Sequence, residues 1–344
     1  MKLLLTGAGG FIGHHLLQHL LANTDWDITA TDSFRHQGKT DRISEVLDGH
    51  PDWEERVTVI THDLTAPFSE QMIARIGEPE FIVAMASESH VDRSITDPVP
   101  FVKNNVDVML NTLELARAVK PRMVLHVSSD EIYGPVRQGQ PPHPEWDPVL
   151  PSNPYSASKA AQEAIAISYW RSFGVPVVIT NLMNVYGERQ GAEKFLPILI
   201  KRISSGETVF IHGDENEIGS RNYLHARNAA SAWLFIMNLA WGACAGLMLP
   251  PAVFPQSLRP DRYNIAGLEP VSNLALAQEV AEILGKPLHY EFTGFDVENR
   301  PGHDPHYGLD MSKLTSLGWK PPVEFHESLE RAVRWTVKHP EWMI

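Results

Sequence analysis

Short apolar runs alternate with stretches of helical period along the first half of the chain. Lys2–Thr6, Asp27–Thr31, Val57–Ile60, Phe81–Ala86 and Met123–Val127 read as buried strands, too short for helices. Between the first two, Ile12, Leu16, Leu17, Leu20 and Leu21 recur at helical spacing. Val106, Met109, Leu110, Leu113 and Leu115 form a second stripe on a helix from about Asn104 to Val119, which packing explains better than cofactor contact. Another helix is expected to start at Asn153-Pro154, because Asn caps helices and Pro suits their first turn. Strands alternating with helices predict an α/β chain with a doubly wound parallel sheet. Farther on, no charged residue lies between Arg227 and Arg259. Asn238, Gly242, Gly246 and Pro250-Pro251 interrupt that run, and no positive cluster flanks it. A buried helix from about Ala229 to Leu239 and an apolar loop are therefore predicted, not a membrane span.

Composition narrows the class. A chain of 344 residues has room for about two domains and a sizeable core. Its net charge of -13 disfavours non-specific binding to nucleic acid or to an anionic membrane, so an anionic ligand would need a local cluster of Arg and Lys. The single cysteine, Cys244, excludes an intrachain disulfide framework and a cysteine-based zinc cluster. The N-terminus enters a strand at once and lacks a signal-peptide pattern. The expectation is a cytoplasmic enzyme with no metal centre, no nucleic-acid partner and no membrane anchor.

The chemistry begins in the turn after the first strand. Gly7, Gly10 and Gly13 give a tight turn, a close backbone approach to a pyrophosphate, and close packing of the following helix. That helix opens on N–H groups suited to a phosphate. The second strand ends at Asp32, where an acid accepts hydrogen bonds from adenosine ribose hydroxyls and repels a 2′-phosphate, favouring NAD over NADP. The third strand ends near Asp63-Leu64. The fourth leads into Ser87-Glu88-Ser89-His90-Val91-Asp92-Arg93-Ser94, which reads equally well as a site or as a polar run capping the next helix.

The fifth strand runs into Ser128-Ser129-Asp130-Glu131-Ile132-Tyr133-Gly134. In open α/β sheets, ligands bind beyond the carboxyl ends of the strands. Adjacent strand residues point to opposite faces, so one ligand meets both acids only if the chain turns there, and Gly134-Pro135 supplies a break. Two such acids can divide proton donation and removal if their surroundings separate their pKa values. Alone, the pair also fits two exposed acids. Farther on, Tyr155 and Lys159 fall on one helical face, where a nearby ammonium would pull the phenol down toward working pH. Such a tyrosine can remove a hydroxyl proton while hydride leaves for NAD.

These motifs together resemble an extended short-chain dehydrogenase/reductase, and within that group the nucleotide-sugar 4,6-dehydratases. The resemblance also rests on Asn184-Val185-Tyr186-Gly187, Glu193-Lys194-Phe195-Leu196-Pro197, Arg300-Pro301-Gly302-His303-Asp304 and Leu317-Gly318-Trp319-Lys320-Pro321, and it covers nearly the whole chain in the family's order. The Asp-Glu pair is its specific part, since related epimerases lack it there. The resemblance implies a Rossmann-type sheet with a smaller, mixed α/β C-terminal substrate-binding domain. The NAD-binding part would span 1–182, with a returning segment near 222–267, and 183–344 would mainly hold the nucleotide sugar. The implied NAD contacts are Gly7, Gly10, Phe11, Ile12, Gly13, Asp32, Asp63, Leu64, Ala86, Tyr155 and Lys159. In the implied reaction Tyr155, with Lys159 and Ser129, oxidises the sugar C4 hydroxyl, passing hydride to NAD. Glu131 then removes the acidified C5 proton, Asp130 protonates the departing C6 hydroxyl, and hydride returns to C6 to give a 4-keto-6-deoxy sugar.

Substrate contacts implied in the same way are Ser89, His90, Asn184, Lys194, Leu196, His212, Arg221, Asn264, Arg300 and His303, whose cationic members suit a diphosphate. The helices near 104–119 and after Tyr155 resemble the family's dimer face, so a homodimer is expected. The chain departs from the pattern at several places. Ser129 stands for the usual Thr, Ala84-Met85 for a His and apolar pair, and Asn222-Tyr223 for Asp-Trp. His212 replaces an aromatic beside the nucleotide base, which puts a thymine nucleotide in doubt. The loop from Trp241 to Pro260, uncharged as far as Leu258, is longer than the family's connection. The rival expectations are an epimerase, a 5,6-dehydratase, or an NAD-binding protein without catalysis.

Overall fold

Consecutive leucines in the first strand bury on opposite faces, and the sheet is built on that alternation. Strand β1 (Lys2–Thr6) sends Leu3 and Leu5 into one apolar cluster and Leu4 into another, as the period of two requires. The computed structural model describes residues 1–136, 139–244, 258–294 and 306–343. After β1 come β2 (Asp27–Asp32), β3 (Val57–Thr61), β4 (Phe81–Ala84), β5 (Met123–Ser129), β6 (Val177–Leu182) and β7 (Asp261–Ile265). They form one seven-stranded sheet in the order β7-β6-β5-β4-β1-β2-β3, with every pairing parallel. Its strands are apolar on both faces because helices cover both. The winding reverses between β1 and β4, which opens a crevice at their carboxyl ends.

The strand ends have local causes. The Thr6 hydroxyl accepts the N–H groups of Met85 (3.0 Å) and Ala86 (3.1 Å), so β4 stops at Ala84, two residues before its apolar run does. Strand β5 instead extends to Ser129, because Ser128 and Ser129 still pair with Asn181 and Leu182 of β6. Burial of both serines follows from that pairing and is invisible in their polarity.

Helix α1 (Phe11–Asn23) follows β1, α2 (Val91–Thr96) and α3 (Pro98–Val119) follow β4, and α4 (Pro154–Phe173) precedes β6. Helix α3 begins earlier than its apolar stripe because Pro98 occupies its first turn. Met109, Leu113, Leu115 and Ala116 of α3 join Ala166 of α4 over Leu4, Ile82 and Val124. Helix α4 starts as expected: the Asn153 side chain accepts the Ser156 N–H at 2.9 Å, and the Ser156 hydroxyl accepts the Asn153 N–H at 3.1 Å.

Beyond β6, α5 (Phe195–Ser205) belongs to a separate core, and α6 (Ala226–Cys244) returns to the sheet. Ala229, Ala230, Trp233 and Met237 of α6 bury against the same cluster as Leu16, Leu17 and Leu20 of α1. The predicted buried helix is therefore present and longer at both ends. Most of the apolar loop expected after it lies outside the described residues. Among those, no helix is long and apolar enough to cross a membrane. Helices α7 (Asn273–Leu284) and α8 (Phe325–Lys338) complete the separate core with α5, and Val209–Ile211 there pairs in parallel with Tyr290–Phe292.

Candidate active site

Four strand ends build a dinucleotide cradle. Gly7 adopts φ +73°, a left-handed conformation that glycine tolerates, and its N–H reaches Thr31 O at 2.8 Å. At Gly13 a Cβ would come within 2.0 Å of Gly7 O, so no other residue fits where α1 presses on the turn. Phe11 and Ile12 form the first turn of α1, and Gly10 before them leaves its N–H groups without a side-chain cap. At the end of β2, Asp32 accepts the N–H groups of Gly9 (3.1 Å) and Phe34 (2.9 Å). Burial pushes its carboxyl upward while those N–H groups oppose the shift. After β3, Asp63 holds Thr65 and pairs with Arg35 at 2.7 Å, and Leu64 is buried. Ala86 packs against the Gly7 turn, where a Cβ would lie 3.0 Å from its Cα.

The acid pair sits where β5 turns into a single 3₁₀ turn, Asp130–Tyr133, which starts before Gly134. The Ser129 hydroxyl accepts the Glu131 N–H at 3.3 Å and lies 3.2 Å from Asp130 Oδ1. The chain turns at the acids themselves, so both can serve one side of the sheet. Asp130 is buried, and its Oδ2 has no hydrogen-bond partner among the described residues. Burial first, and then the negative charge of Glu131, push its carboxyl up to about 7. Glu131 is half-buried and accepts a hydrogen bond from Asn153 Nδ2 at 3.1 Å. One acid is thus held near neutrality in its protonated form while the other is oriented by an amide.

Helix α4 brings Tyr155 to this point. Its N–H donates to Ser94 Oγ of α2 at 3.1 Å, and its phenol hydrogen-bonds the Ser129 hydroxyl. The expected lowering of the phenol does not occur in this arrangement. Burial and the charges of Glu131 and Asp130 push it above its ordinary range, and the bond to Ser129 only partly opposes them. Lys159 is buried, and its ammonium donates to Val127 O (2.8 Å) and Gln162 Oε1 (2.7 Å). Burial brings it down to about 7.

The expected substrate residues are more dispersed. His90 caps α2 through its ring nitrogen, which places Ser89 and His90 one turn from Ser94 and the Tyr155 backbone. Asn184 is exposed just beyond β6, Lys194 stands at the start of α5, and Leu196 is buried within α5. His212 lies 3.2 Å from the Thr293 hydroxyl. The Arg221 guanidinium stacks 4.5 Å over Tyr307, and its positive charge also reaches Asp130. Beside it, Ser220, Asn222 and Tyr307 line a cavity of about 550 Å³ with Val136 and Pro142 from the segment beyond the acid pair. Asn264 is wholly buried in β7, and its amide donates to His143 O (2.9 Å) and Asp310 O (3.2 Å). Those bonds make it a tie between segments, and its Oδ1 has no hydrogen-bond partner among the described residues. Arg300 and His303 lie outside the described residues.

Residues 3–242 match the model of the "NAD dependent epimerase/dehydratase family". The chain belongs to that family. Among curated relatives it is 32% identical to the low-salt glycan biosynthesis protein Agl12 of Haloferax volcanii, over 97% of both chains. It is 31% identical to the dTDP-glucose 4,6-dehydratase of Haemophilus influenzae, again over 97% of both. Its fold is similar to the solved dTDP-glucose 4,6-dehydratase DesIV of Streptomyces venezuelae with NAD bound, at TM-score 0.82 and 29% identity, covering 99% of this chain and 98% of that one. It is also similar to the UDP-glucose 4-epimerase of Thermus thermophilus with NAD, at TM-score 0.79 and 27% identity, covering 98% of this chain and 100% of that one.

The cofactor of this epimerase/dehydratase family member is NAD, and the residues fit it. The Gly7 turn admits a pyrophosphate against backbone, and Asp32 is a preorganised acceptor for ribose hydroxyls. Several site residues escaped the sequence reading. Asn153, taken only as a helix cap, also holds Glu131. Asn181 of β6 donates to Ser129 O (3.1 Å) and Glu163 Oε1 (2.7 Å) and accepts from the Tyr133 hydroxyl, so it braces the acid-bearing turn. Glu163 itself pairs with Arg262 inside the protein. The spacing of Tyr155, Lys159 and Glu163 on one face of α4 was the available signal for the last of these.

Proposed function

We propose that the chain is a nucleotide-sugar 4,6-dehydratase, converting a nucleoside-diphosphate hexose to its 4-keto-6-deoxy form with loss of one water. The observation that carries this reading is the split environment of the acid pair. Asp130 is buried, and its carboxyl is pushed up to about 7 by that burial and by Glu131, whereas Glu131 is half-buried and oriented by the Asn153 amide. Elimination across C5 and C6 needs those two states together, a base for the C5 proton and an acid for the departing C6 hydroxyl. Bound NAD supplies the acceptor that takes hydride from C4 and gives it back to C6. Tyr155, joined to the Ser129 hydroxyl, takes the C4 hydroxyl proton as a phenolate and becomes a phenol; the buried Lys159 ammonium is assigned to stabilising that phenolate before the step. Glu131 removes the C5 proton once C4 is a ketone. Asp130 delivers its proton to the C6 oxygen, which leaves as water.

Arg221, whose neighbours Ser220 and Asn222 line the cavity and whose charge reaches Asp130, is assigned to the diphosphate, with Lys194 as its second cation. A 4-epimerase of the same fold needs no acid pair beyond its tyrosine, so Asp130 and Glu131 favour dehydration. The reading is tested by giving purified protein UDP-, dTDP-, GDP- and CDP-hexoses and following loss of water by mass. A dehydrated product from one of them supports it; a C4 epimer of unchanged mass overturns it. His212, at the position where the family carries an aromatic for the base, points to a substrate other than dTDP-glucose, and the same panel decides that.

A further inference from the structure

Lys159 is buried to 3% exposure, yet it has to stay charged to stabilise a phenolate. Its polar neighbours hold the ammonium there. Of its hydrogen bonds, one goes to the Val127 carbonyl of β5 at 2.8 Å and one to Gln162 Oε1 at 2.7 Å. Gln162 is itself buried, and its amide nitrogen donates to Asn105 O of α3 at 2.7 Å. Asn105 O already belongs to the α3 backbone ladder as a helix carbonyl. The bond from Gln162 is therefore an additional one, and its effect is on Gln162. With the NH₂ end tied to a carbonyl, the oxygen end has to face Lys159; the reverse orientation would set NH₂ against ammonium and oxygen against oxygen. Asn105 is in turn fixed by Ser158 Oγ (2.8 Å) and by both backbone groups of Glu88 (2.8 and 3.0 Å). The orientation of Gln162 is thus set by α3 and the segment carrying Ser89 and His90.

We propose that Gln162 is a positioning residue for the reaction: it acts through Lys159, fixing the ammonium in place and supplying an acceptor that favours its charged form. Besides the Val127 carbonyl, the groups facing Lys159 do not duplicate this. Tyr155 and Glu163 share its face of α4, and Glu163 spends its carboxylate on Arg262 of β7 and on Asn181 of β6. His126 of β5 is buried and held neutral. From α3 comes the uncharged Asn105. Burial pushes the Lys159 ammonium down and the Glu163 charge opposes that only through space, whereas Gln162 and the Val127 carbonyl accept from it directly.

The proposal rests on the proposed role of Lys159, and its test separates the two. Protein loaded with NAD and labelled with ¹³C at lysine Cε is titrated by NMR as wild type, Gln162→Met and Gln162→Glu, with the Lys159 resonance assigned by its loss in Lys159→Met. Met matches Gln in length and removes the acceptor; Glu restores an acceptor for Lys159 but gives up the NH₂ bond to Asn105 O. In Gln162→Met the Lys159 midpoint is expected to fall by about one pH unit. Turnover of the nucleotide sugar should drop roughly tenfold or more with KM within about twofold, and the alkaline limb of the kcat profile should move to lower pH. Gln162→Glu should return the midpoint to the wild-type value or above and recover turnover. A Lys159 midpoint unchanged in Gln162→Met overturns the proposal. So does a loss of turnover in Gln162→Met with no rise of the Lys159 midpoint in Gln162→Glu, which would mark a packing role. The titration uses no sugar, so failure of the dehydratase reading would leave its result standing.

Discussion

Replacing Asp130 by Asn tests whether this carboxyl is protonated in the folded protein. Burial and the Glu131 charge move it from an ordinary 3.8 to about 7. A carboxyl raised on folding binds its proton more tightly in the native chain. Its contribution to stability is therefore present below the unfolded value and is lost as pH rises through the folded value. At about 1.4 kcal/mol per unit, the wild type should lose on the order of 2–3 kcal/mol from this group between pH 5 and pH 8. The amide in Asp130→Asn does not titrate, so the variant should keep that amount, while every other group changes equally in both proteins. Urea unfolding at the two pH values measures the difference, and Asp130→Asn should gain on wild type at pH 8. The same variant should lose dehydration by about 10²- to 10⁴-fold, because the amide cannot protonate the leaving oxygen. If the stability gap between the two proteins were the same at both pH values, the carboxyl would not be proton-bearing near neutrality and its assignment as the acid would fail.

Glu131→Gln removes the base but keeps size and much of the hydrogen bonding, so product formation should fall by about 10²- to 10⁴-fold while C4 oxidation by Tyr155 survives, seen as a rise in nicotinamide absorbance on adding substrate. Normal turnover of that variant would remove Glu131 from the C5 step. Because Asp32 is preset to accept ribose hydroxyls, calorimetry should show NAD binding at least about tenfold tighter than NADP, and equal affinities would contradict its role. Helices α3 and α4, packed together on one face of the sheet, should form a four-helix contact with a second copy. Light scattering at micromolar concentration should then give the mass of two 38.5 kDa chains, and the mass of one would reject the dimer.

Much of the sheet was legible because its strands bury both faces, so they appear as continuous apolar runs in residues such as Leu3–Leu5 and Val124–Leu125. The glycine turn was legible because backbone geometry permits few alternatives at Gly7 and Gly13. What polarity hid was tertiary. Ser128 and Ser129 read as the end of a strand, yet pairing with β6 carries it through them. Asn153 read as a cap, and only the turn of β5 shows that the same side chain reaches Glu131. The direction of the Tyr155 phenol was missed for an energetic reason. Spacing puts Lys159 on its face, but burial and two neighbouring acids outweigh an ammonium already turned toward Val127 and Gln162. Asn264 matched a motif while its amide is committed to carbonyls inside the protein, and spacing carries no information about that.

An isotope follows the hydride that leaves C4 and returns to C6 within a single site while the acid pair expels water. The nucleotide hexose found in the substrate panel is prepared with deuterium at C4, turned over by the wild type, and its product read by NMR and mass. The account predicts a product lighter by one water, with a ketone at C4 and the deuterium at C6. Deuterium retained at C4 in a product that has lost no water, or deuterium missing from C6 in a dehydrated one, would contradict it.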